Sequence, residues 1–191
     1  MSKAIKPGLG YIDSFLSSCF VHTLSAWHWI GATPNTLTTL GLVCSLLSVW
    51  HMRCNRPRPA ALFLLLRLYF DYADGLLARQ YDQTSRFGDY YDHAVDVLFM
   101  TLFVAVVCSR SKHPRTHLAL LAVFGALMLV QMGCIEKAYH KPADSETSIS
   151  QLRQLCVYER AVRLFDNGTL YAVMLFVIAT MRRKRWPWER S

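Results

Sequence analysis

The chain has 191 residues, 53% of them hydrophobic, and a formal net charge of +8. That length suits one domain over residues 1–191, and the apolar residues gather into runs that approach a bilayer span. The basic residues sit between those runs, at Arg53, Arg56 and Arg58, at Arg110, Lys112 and Arg115, and at Arg182, Arg183, Lys184 and Arg185, which suits anionic headgroups and argues against a nucleic-acid partner.

In chain order, residues 1–31 read as an N-terminal amphipathic helix lying at the membrane interface. Leu9, Ile12, Leu16, Cys19, Phe20, Leu24 and Trp27 recur at three- and four-residue spacing, and Trp27 and Trp29 suit the headgroup level. Its role is an anchor packed on a bundle or, alternatively, a collar over a substrate. The opening MSKAIKPGLG has no compact apolar core with a cleavage site, so no signal peptide is expected. Residues 33–181 read as a helix bundle. Thr33-Pro34-Asn35 opens it, with Thr33 as N-cap and Pro34 in the first helical position. Asn35, Thr38 and Thr39 add polar groups to that first turn, for helix-end donors or for a polar ligand.

Apolar runs follow at residues 36–50, 60–70, 94–108, 116–135 and 170–180. All but the fourth reach the roughly 20 residues of a span only with polar flanks included. Arg56-Pro57-Arg58-Pro59 turns the chain between the first two runs. Arg67 lies four residues before Asp71 and shares its helical face, as a buried ion pair or as a phosphate ligand. A short polar connection over residues 80–86 leads to a third helix starting near Gly88. Residues 137–154 read as a solvent loop, residues 156–165 are weakly amphipathic, and Asn167-Gly168 punctuates the approach to the last run. The six cysteines contain no CxxC pair and mostly lie in or beside apolar runs. They read as small apolar residues and not as a disulfide frame or zinc site.

The chemistry concentrates in residues 71–96. Asp71 and Asp74 are i, i+3 on one helix, and Gly88, Asp92 and Asp96 are i, i+4, i+8 on the next, so each set shares a face. An αα-hairpin would converge four carboxylates on a small volume. Uncompensated, such a cluster repels itself; divalent cations relieve it, and all-oxygen ligands favour Mg²⁺ or Mn²⁺ over Zn²⁺. Gly75, Ala78 and Gly88 leave bare helix surface beside the acids, and Arg79 is placed to meet a phosphate. These residues suggest a two-metal phosphoryl-transfer site within a membrane bundle. His93 reads as structural, and Asp82 and Asp89 fall off the shared face.

Written D-x2-D-G-x2-A-R-x8-G-x3-D-x3-D, with Asp71, Asp74, Gly75, Ala78, Arg79, Gly88, Asp92 and Asp96 in the fixed positions, the stretch resembles the signature of the CDP-alcohol phosphotransferase (CDP-alcohol phosphatidyltransferase) family. Thr33-Pro34-Asn35 with Leu37, Thr38 and Gly41 is similar to the way such proteins begin their first span. The apolar runs, four of them convincing and the fifth short, together with the six spans usual in that family, give an all-α, polytopic transmembrane bundle of five to six spans. It implies two divalent ions bridged by Asp71 and Asp92, with Asp74 completing one site and Asp96 the other. It gives Asp96 the further role of catalytic general base. It gives Pro34, Asn35, Gly75, Ala78, Arg79, Ser85 and Gly88 to the CDP moiety.

The implied reaction displaces CMP from a CDP-linked lipid or alcohol and joins the phosphoryl-bearing part to an alcohol, making a phospholipid. The small size and Ser85-Arg86-Phe87-Gly88 favour CDP-diacylglycerol as donor, whereas Gly88-Asp-Tyr-Tyr-Asp92-His93 is reminiscent of the CDP-choline and CDP-ethanolamine enzymes. A divalent-cation transporter and an inactive family member are the other readings; a transporter has no use for Gly75, Ala78, Arg79 and Gly88 in this register. Glu136, Lys137, Arg160 and Arg163 are candidates for reading the acceptor, each with an ordinary interfacial explanation. The basic residues divide almost evenly between the two sides of five spans. The resemblance, not the charge, implies a multi-pass protein of an ER-like or bacterial-type inner membrane with its motif facing the cytosol, and a homodimer.

Overall fold

The structure, a computed structural model, describes residues 10–139, 150–156 and 163–181. Each apolar run lies inside a helix. An N-terminal arm consists of α1 (Tyr11–Phe20), a 3-10 turn (Val21–Thr23) and α2 (Leu24–Trp29). Then come α3 (Pro34–Arg53), α4 (Pro57–Gln80), α5 (Arg86–Arg110), α6 (Pro114–Tyr139), a 3-10 segment (Ser150–Leu155) and α7 (Asn167–Thr180). No strand occurs among the described residues.

Local chemistry sets the helix starts. Thr33 Oγ1 accepts the Thr36 N–H at 3.3 Å with Pro34 in the first turn, Ser85 Oγ accepts the Gly88 N–H at 3.0 Å, and Asp166 Oδ1 accepts the Thr169 N–H at 3.0 Å. Each satisfies a donor that a helix N-terminus leaves orphaned. Gly31, at φ +75°, makes the turn between arm and α3, a left-handed conformation that side chains resist. The arm and α3 are bent by 113°.

α5 and the Pro114–Ala138 stretch of α6 are each long and apolar enough to cross a membrane, and the arm with α3 qualifies as one bent pair. Among the described residues, two or three spans by length and composition are fewer than the five to six expected from sequence. α4 has 24 residues, but Arg67, Asp71, Asp74 and Arg79 dilute its apolar character, and α7 is apolar but only 14 residues long. The outward residues of α3 (Val43, Leu46, Trp50) and α4 (Leu62, Leu65, Leu66) are nonetheless apolar.

One core joins α4, α5, α6 and α7 through Leu64, Leu68, Phe99, Phe103, Val107, Leu121, Tyr171, Met174 and Val177. A second seats the arm on α3 and α4 through Leu24, Leu37, Ala73, Leu76 and Leu77. The arm is broken by its 3-10 turn, and α1 is turned opposite to a helix on a water-soluble core. Asp13 and Ser17 face inward, 5% and 3% exposed, while Tyr11 and Phe15 point outward at 63% and 65%.

The inward acid has a use. Asp166 Oδ2 accepts the Ile12 and Asp13 N–H groups at 2.8 and 3.0 Å, while Asp13 Oδ1 accepts the Gly168 N–H at 2.8 Å and the Tyr72 hydroxyl. Each acid thus caps the first turn of the other's helix. The approach requires glycine: a Cβ on Gly168 would lie 2.3 Å from Ile12 Cγ2, and one on Gly10 would lie 2.3 Å from Asp166 Oδ2.

Two expectations are corrected at the end of α6. Cys134 and Cys156 form a disulfide, so these two are not merely apolar filling. The expected solvent loop begins inside α6 and ends in the 3-10 segment. That segment packs so closely that a Cβ on Gly133 would fall 2.1 Å from the Leu152 carbonyl oxygen. This close backbone approach carries Cys156 back to α6. Residues 1–9, 140–149, 157–162 and 182–191 lie outside the described residues, and with them Leu9, Arg160 and the last basic cluster.

Candidate active site

α4 carries Asp71, Asp74, Gly75, Ala78 and Arg79; α5 carries Gly88, Asp92 and Asp96, with Ser85 as its cap; Pro34 and Asn35 open α3. Carboxylate oxygens of Asp71, Asp92 and Asp96 lie within 4.8 Å of one another. Asp74 stands beside that triad. It is 4% exposed, accepts the Thr38 hydroxyl at 2.6 Å, and lines a narrow crevice with Thr38, Gly41, Arg67, Asp71, Asp92 and Val95. The Thr38 hydroxyl has one proton to give, and the shorter contact, to Asp74, takes it; the Pro34 carbonyl lies 3.2 Å away. The two motif helices do not close into a tight hairpin: α3 packs against both, and they make little direct backbone contact with each other.

The positive charge within the cluster is Arg67, 3% exposed. Its Nη1 donates to Asp71 Oδ1 at 3.2 Å and to the Tyr171 hydroxyl, and its Nη2 donates to Asp96 Oδ1. The guanidinium carbon lies 4.6 Å from the Phe99 ring centroid and 5.6 Å from that of Tyr171, positions suited to cation–π attraction. The buried-pair reading of Arg67 is therefore the one observed, extended across to α5. On the far side, Asn167 Nδ2 donates to Asp71 Oδ2 at 3.0 Å. Tyr171 and Asn167 were not recognised from sequence. The one signal was Asn167-Gly168, read as punctuation.

The donor set fits a hard divalent cation. All donors are oxygen, and ligands at about 2.1 Å from Mg²⁺ lie at most about 4.2 Å apart, close to the 4.8 Å limit of the triad. A shift of a few tenths of an ångström at each side chain closes the difference.

The remaining predicted residues fall into two groups. A Cβ on Gly88 would lie 3.0 Å from Ser85 Oγ and 3.1 Å from Asn35 Oδ1, so these three residues meet where α3 and α5 begin. A Cβ on Gly75 would lie 3.1 Å from Arg79 Nη1: the guanidinium folds back over the glycine one turn away. Ala78 is half-buried beside it. His93 bonds through Nδ1 to the Asp89 carbonyl at 2.7 Å, within its own helix, and Asp82 is exposed. Of the acceptor candidates, Glu136 is 1% exposed and 3.9 Å from Arg153, Lys137 is exposed, and the Arg163 carbonyl accepts the Tyr11 N–H at 3.2 Å.

A family model described as CDP-alcohol phosphatidyltransferase matches residues 31–180. The chain belongs to that family. The match takes in α3 through α7, including Asn167 and Tyr171, and leaves out the arm. Among curated relatives, an archaetidylinositol phosphate synthase of Pyrococcus horikoshii is 33% identical over 69 residues, 36% of this chain and 37% of that protein. Choline/ethanolaminephosphotransferase 1 of Saccharomyces cerevisiae is 26% identical over 173 residues, 83% of this chain and 43% of the relative. Cholinephosphotransferase 1 of Danio rerio is 31% identical over 109 residues, 47% and 28% of the two chains. The chain thus spans less than half the length of each of these relatives. Family membership and the apolar helices together make it a membrane protein.

Proposed function

We propose that the protein is a phospholipid-synthesising transferase that displaces CMP from a CDP-linked donor and joins the phosphoryl-bearing group to an alcohol. The observation that carries this reading is the convergence of Asp71, Asp92 and Asp96 beside buried Asp74, in a chain that belongs to the CDP-alcohol phosphatidyltransferase family. Asp71, Asp74, Asp92 and Asp96 would hold two divalent ions, Mg²⁺ or Mn²⁺, whose chemistry is to neutralise the diphosphate and the departing CMP.

The chain's own residues do the rest. Asn35, Ser85 and Gly88, with Pro34, bind one part of the CDP group, and Gly75, Ala78 and Arg79 bind another; Arg79 supplies a charged donor to phosphate oxygens. Asp96, the more exposed partner of the Arg67 pair at 40% against 3%, takes the proton of the acceptor hydroxyl. The freed oxygen forms a bond to the phosphorus distal to cytidine, and the bond from that phosphorus to CMP breaks. Arg67 holds Asp96 against Asp71 and so orients the base. α3 to α7 cross the membrane in a multi-pass bundle, the arm lies at the interface with Tyr11 and Phe15 toward lipid, and the motif faces the cytosol. A homodimer is part of the same reading.

The donor has two readings. Ser85-Arg86-Phe87-Gly88 and the chain's small size favour CDP-diacylglycerol with a polar alcohol as acceptor. The relative aligned over 83% of this chain is named for choline and ethanolamine phosphotransfer, which favours a CDP-amino alcohol with diacylglycerol as acceptor. One assay separates them: CMP release by the purified protein in lipid nanodiscs with Mg²⁺ or Mn²⁺, across both donor classes and their acceptors. CMP should appear only with metal and one matched pair. Absence of CMP from every pair would refute the enzyme reading.

A further inference from the structure

Among the described residues, one of the two side chains that hold Asp71 comes from a distant helix. Asp71 Oδ1 is held by Arg67 on its own helix, and Oδ2 is held at 3.0 Å by the amide of Asn167, 96 residues further along the chain. Asn167 is the first residue of α7, one past its N-cap. The cap is Asp166, whose Oδ1 accepts the Thr169 N–H at 3.0 Å. The Asn167 amide takes no part in capping and is aimed at a carboxylate.

Its location is fixed from behind. The Asn167 N–H donates to Asp13 Oδ2 at 3.4 Å, and the next N–H, of Gly168, donates to Asp13 Oδ1 at 2.8 Å. Asp166, 1% exposed, returns the bond to the Ile12 and Asp13 N–H groups of α1. With Gly10 and Gly168 both pressed against the opposite helix, the first turns of α1 and α7 are locked in register. The chain of contact runs from the arm, through two exchanged carboxylates, to one oxygen of Asp71.

We propose that Asn167 is a positioning residue of the carboxylate cluster: its amide orients Asp71, and the Asp13–Asp166 exchange sets where that amide sits. α1 and α7 then belong to the active site although neither bears a motif residue. The inference rests on reading the cluster as a divalent-cation site. A neutral amide suits the task because it donates to one carboxylate oxygen without adding a charge that competes with a cation. Ligating carboxylates are themselves held by hydrogen bonds, and loss of such a partner typically weakens metal binding by about 10- to 100-fold.

The test is Mn²⁺ binding to the purified full chain in nanodiscs, followed by the electron paramagnetic resonance of free Mn²⁺, beside metal-free thermal unfolding. Asn167→Ala should raise the Mn²⁺ Kd by about 10- to 100-fold. Asn167→Ser, whose hydroxyl is at home in a first turn but too short to reach Asp71, should do the same and guards against a folding defect. Asn167→Gln, which keeps the amide, should recover part of the loss. In turnover, the metal concentration at half-maximal rate should rise with little change in KM for the CDP donor, a split that loss of helix stability would not produce. Wild-type Mn²⁺ affinity in both Asn167→Ala and Asn167→Ser would overturn the positioning role and leave the metal site standing. Failure of the wild-type chain to bind Mn²⁺ would overturn both.

Discussion

Replacing Arg67 by methionine removes a charge while keeping a long, flexible side chain against Phe99 and Tyr171. In the native structure the guanidinium is 3% exposed and donates to Asp71, Asp96 and the Tyr171 hydroxyl. Breaking a buried ion pair by deleting one partner costs about 3–5 kcal/mol, mostly because the other charge stays buried and unpaired. Here two carboxylates lose their partner, so the upper half of that range applies without metal. At about 2–4 °C per kcal/mol for a chain of this size, the metal-free melting temperature should fall by about 8–20 °C. Saturating Mn²⁺ restores positive charge to the same oxygens, so the stabilisation it gives should be larger in Arg67→Met than in wild type. The assay is thermal unfolding in nanodiscs followed by tryptophan fluorescence, with and without Mn²⁺. Equal metal-induced shifts in the two proteins would show that Arg67 and the cation do not share these oxygens. An unchanged metal-free melting temperature would show that the pair contributes nothing to stability.

Asp96→Asn should abolish turnover while retaining much of the CDP-donor binding, measured by equilibrium binding of the donor; normal turnover would refute the general-base role. Gly168→Ala forces a methyl group to within 2.3 Å of Ile12 Cγ2 and should cost about 1–3 kcal/mol, and a wild-type melting temperature would refute the locked contact of α1 with α7. The arm also makes a pH prediction. Burial pushes Asp13 from 3.8 up to about 6, against the pull of the Tyr72 hydroxyl and with the help of Asp166, while the Gly168 and Asn167 N–H groups pull it down. The folded state holds that proton more tightly than the unfolded chain, so the stability it contributes is complete below 3.8 and is lost as pH rises through about 6. At about 1.4 kcal/mol per unit the difference approaches about 3 kcal/mol, and metal-free melting curves of wild type should show it relative to Asp13→Asn. Parallel pH profiles for the two proteins would refute it.

What was legible in the sequence is what lies within one helix or one turn. The i, i+3 and i, i+4 spacing of Asp71, Asp74, Asp92 and Asp96 follows from 3.6 residues per turn, whatever packs nearby. The cap at Thr33 is likewise local. The family signature is equally local, confined to one stretch of two helices and their connection. The arm was legible only in part. Its apolar spacing was visible, but which face turns inward depends on the neighbour, and the neighbour is the first turn of α7, where Asp13 is needed as a cap. The disulfide was missed for a similar reason: only the seating of the Ser150–Leu155 segment over Gly133 brings Cys156 to Cys134.

By itself the sequence determined four acids on two helical faces, the glycines beside them, and Arg67 within reach of Asp71. Tertiary structure alone decided that Arg67 reaches Asp96 as well, that Thr38 holds Asp74, and that Asn167 and Tyr171 complete the cluster from α7. Helical periodicity fixes the direction of a side chain about its own axis. It carries no information about which distant helix supplies the group that meets it, and that choice is made when the apolar faces of α4, α5, α6 and α7 pack into one core.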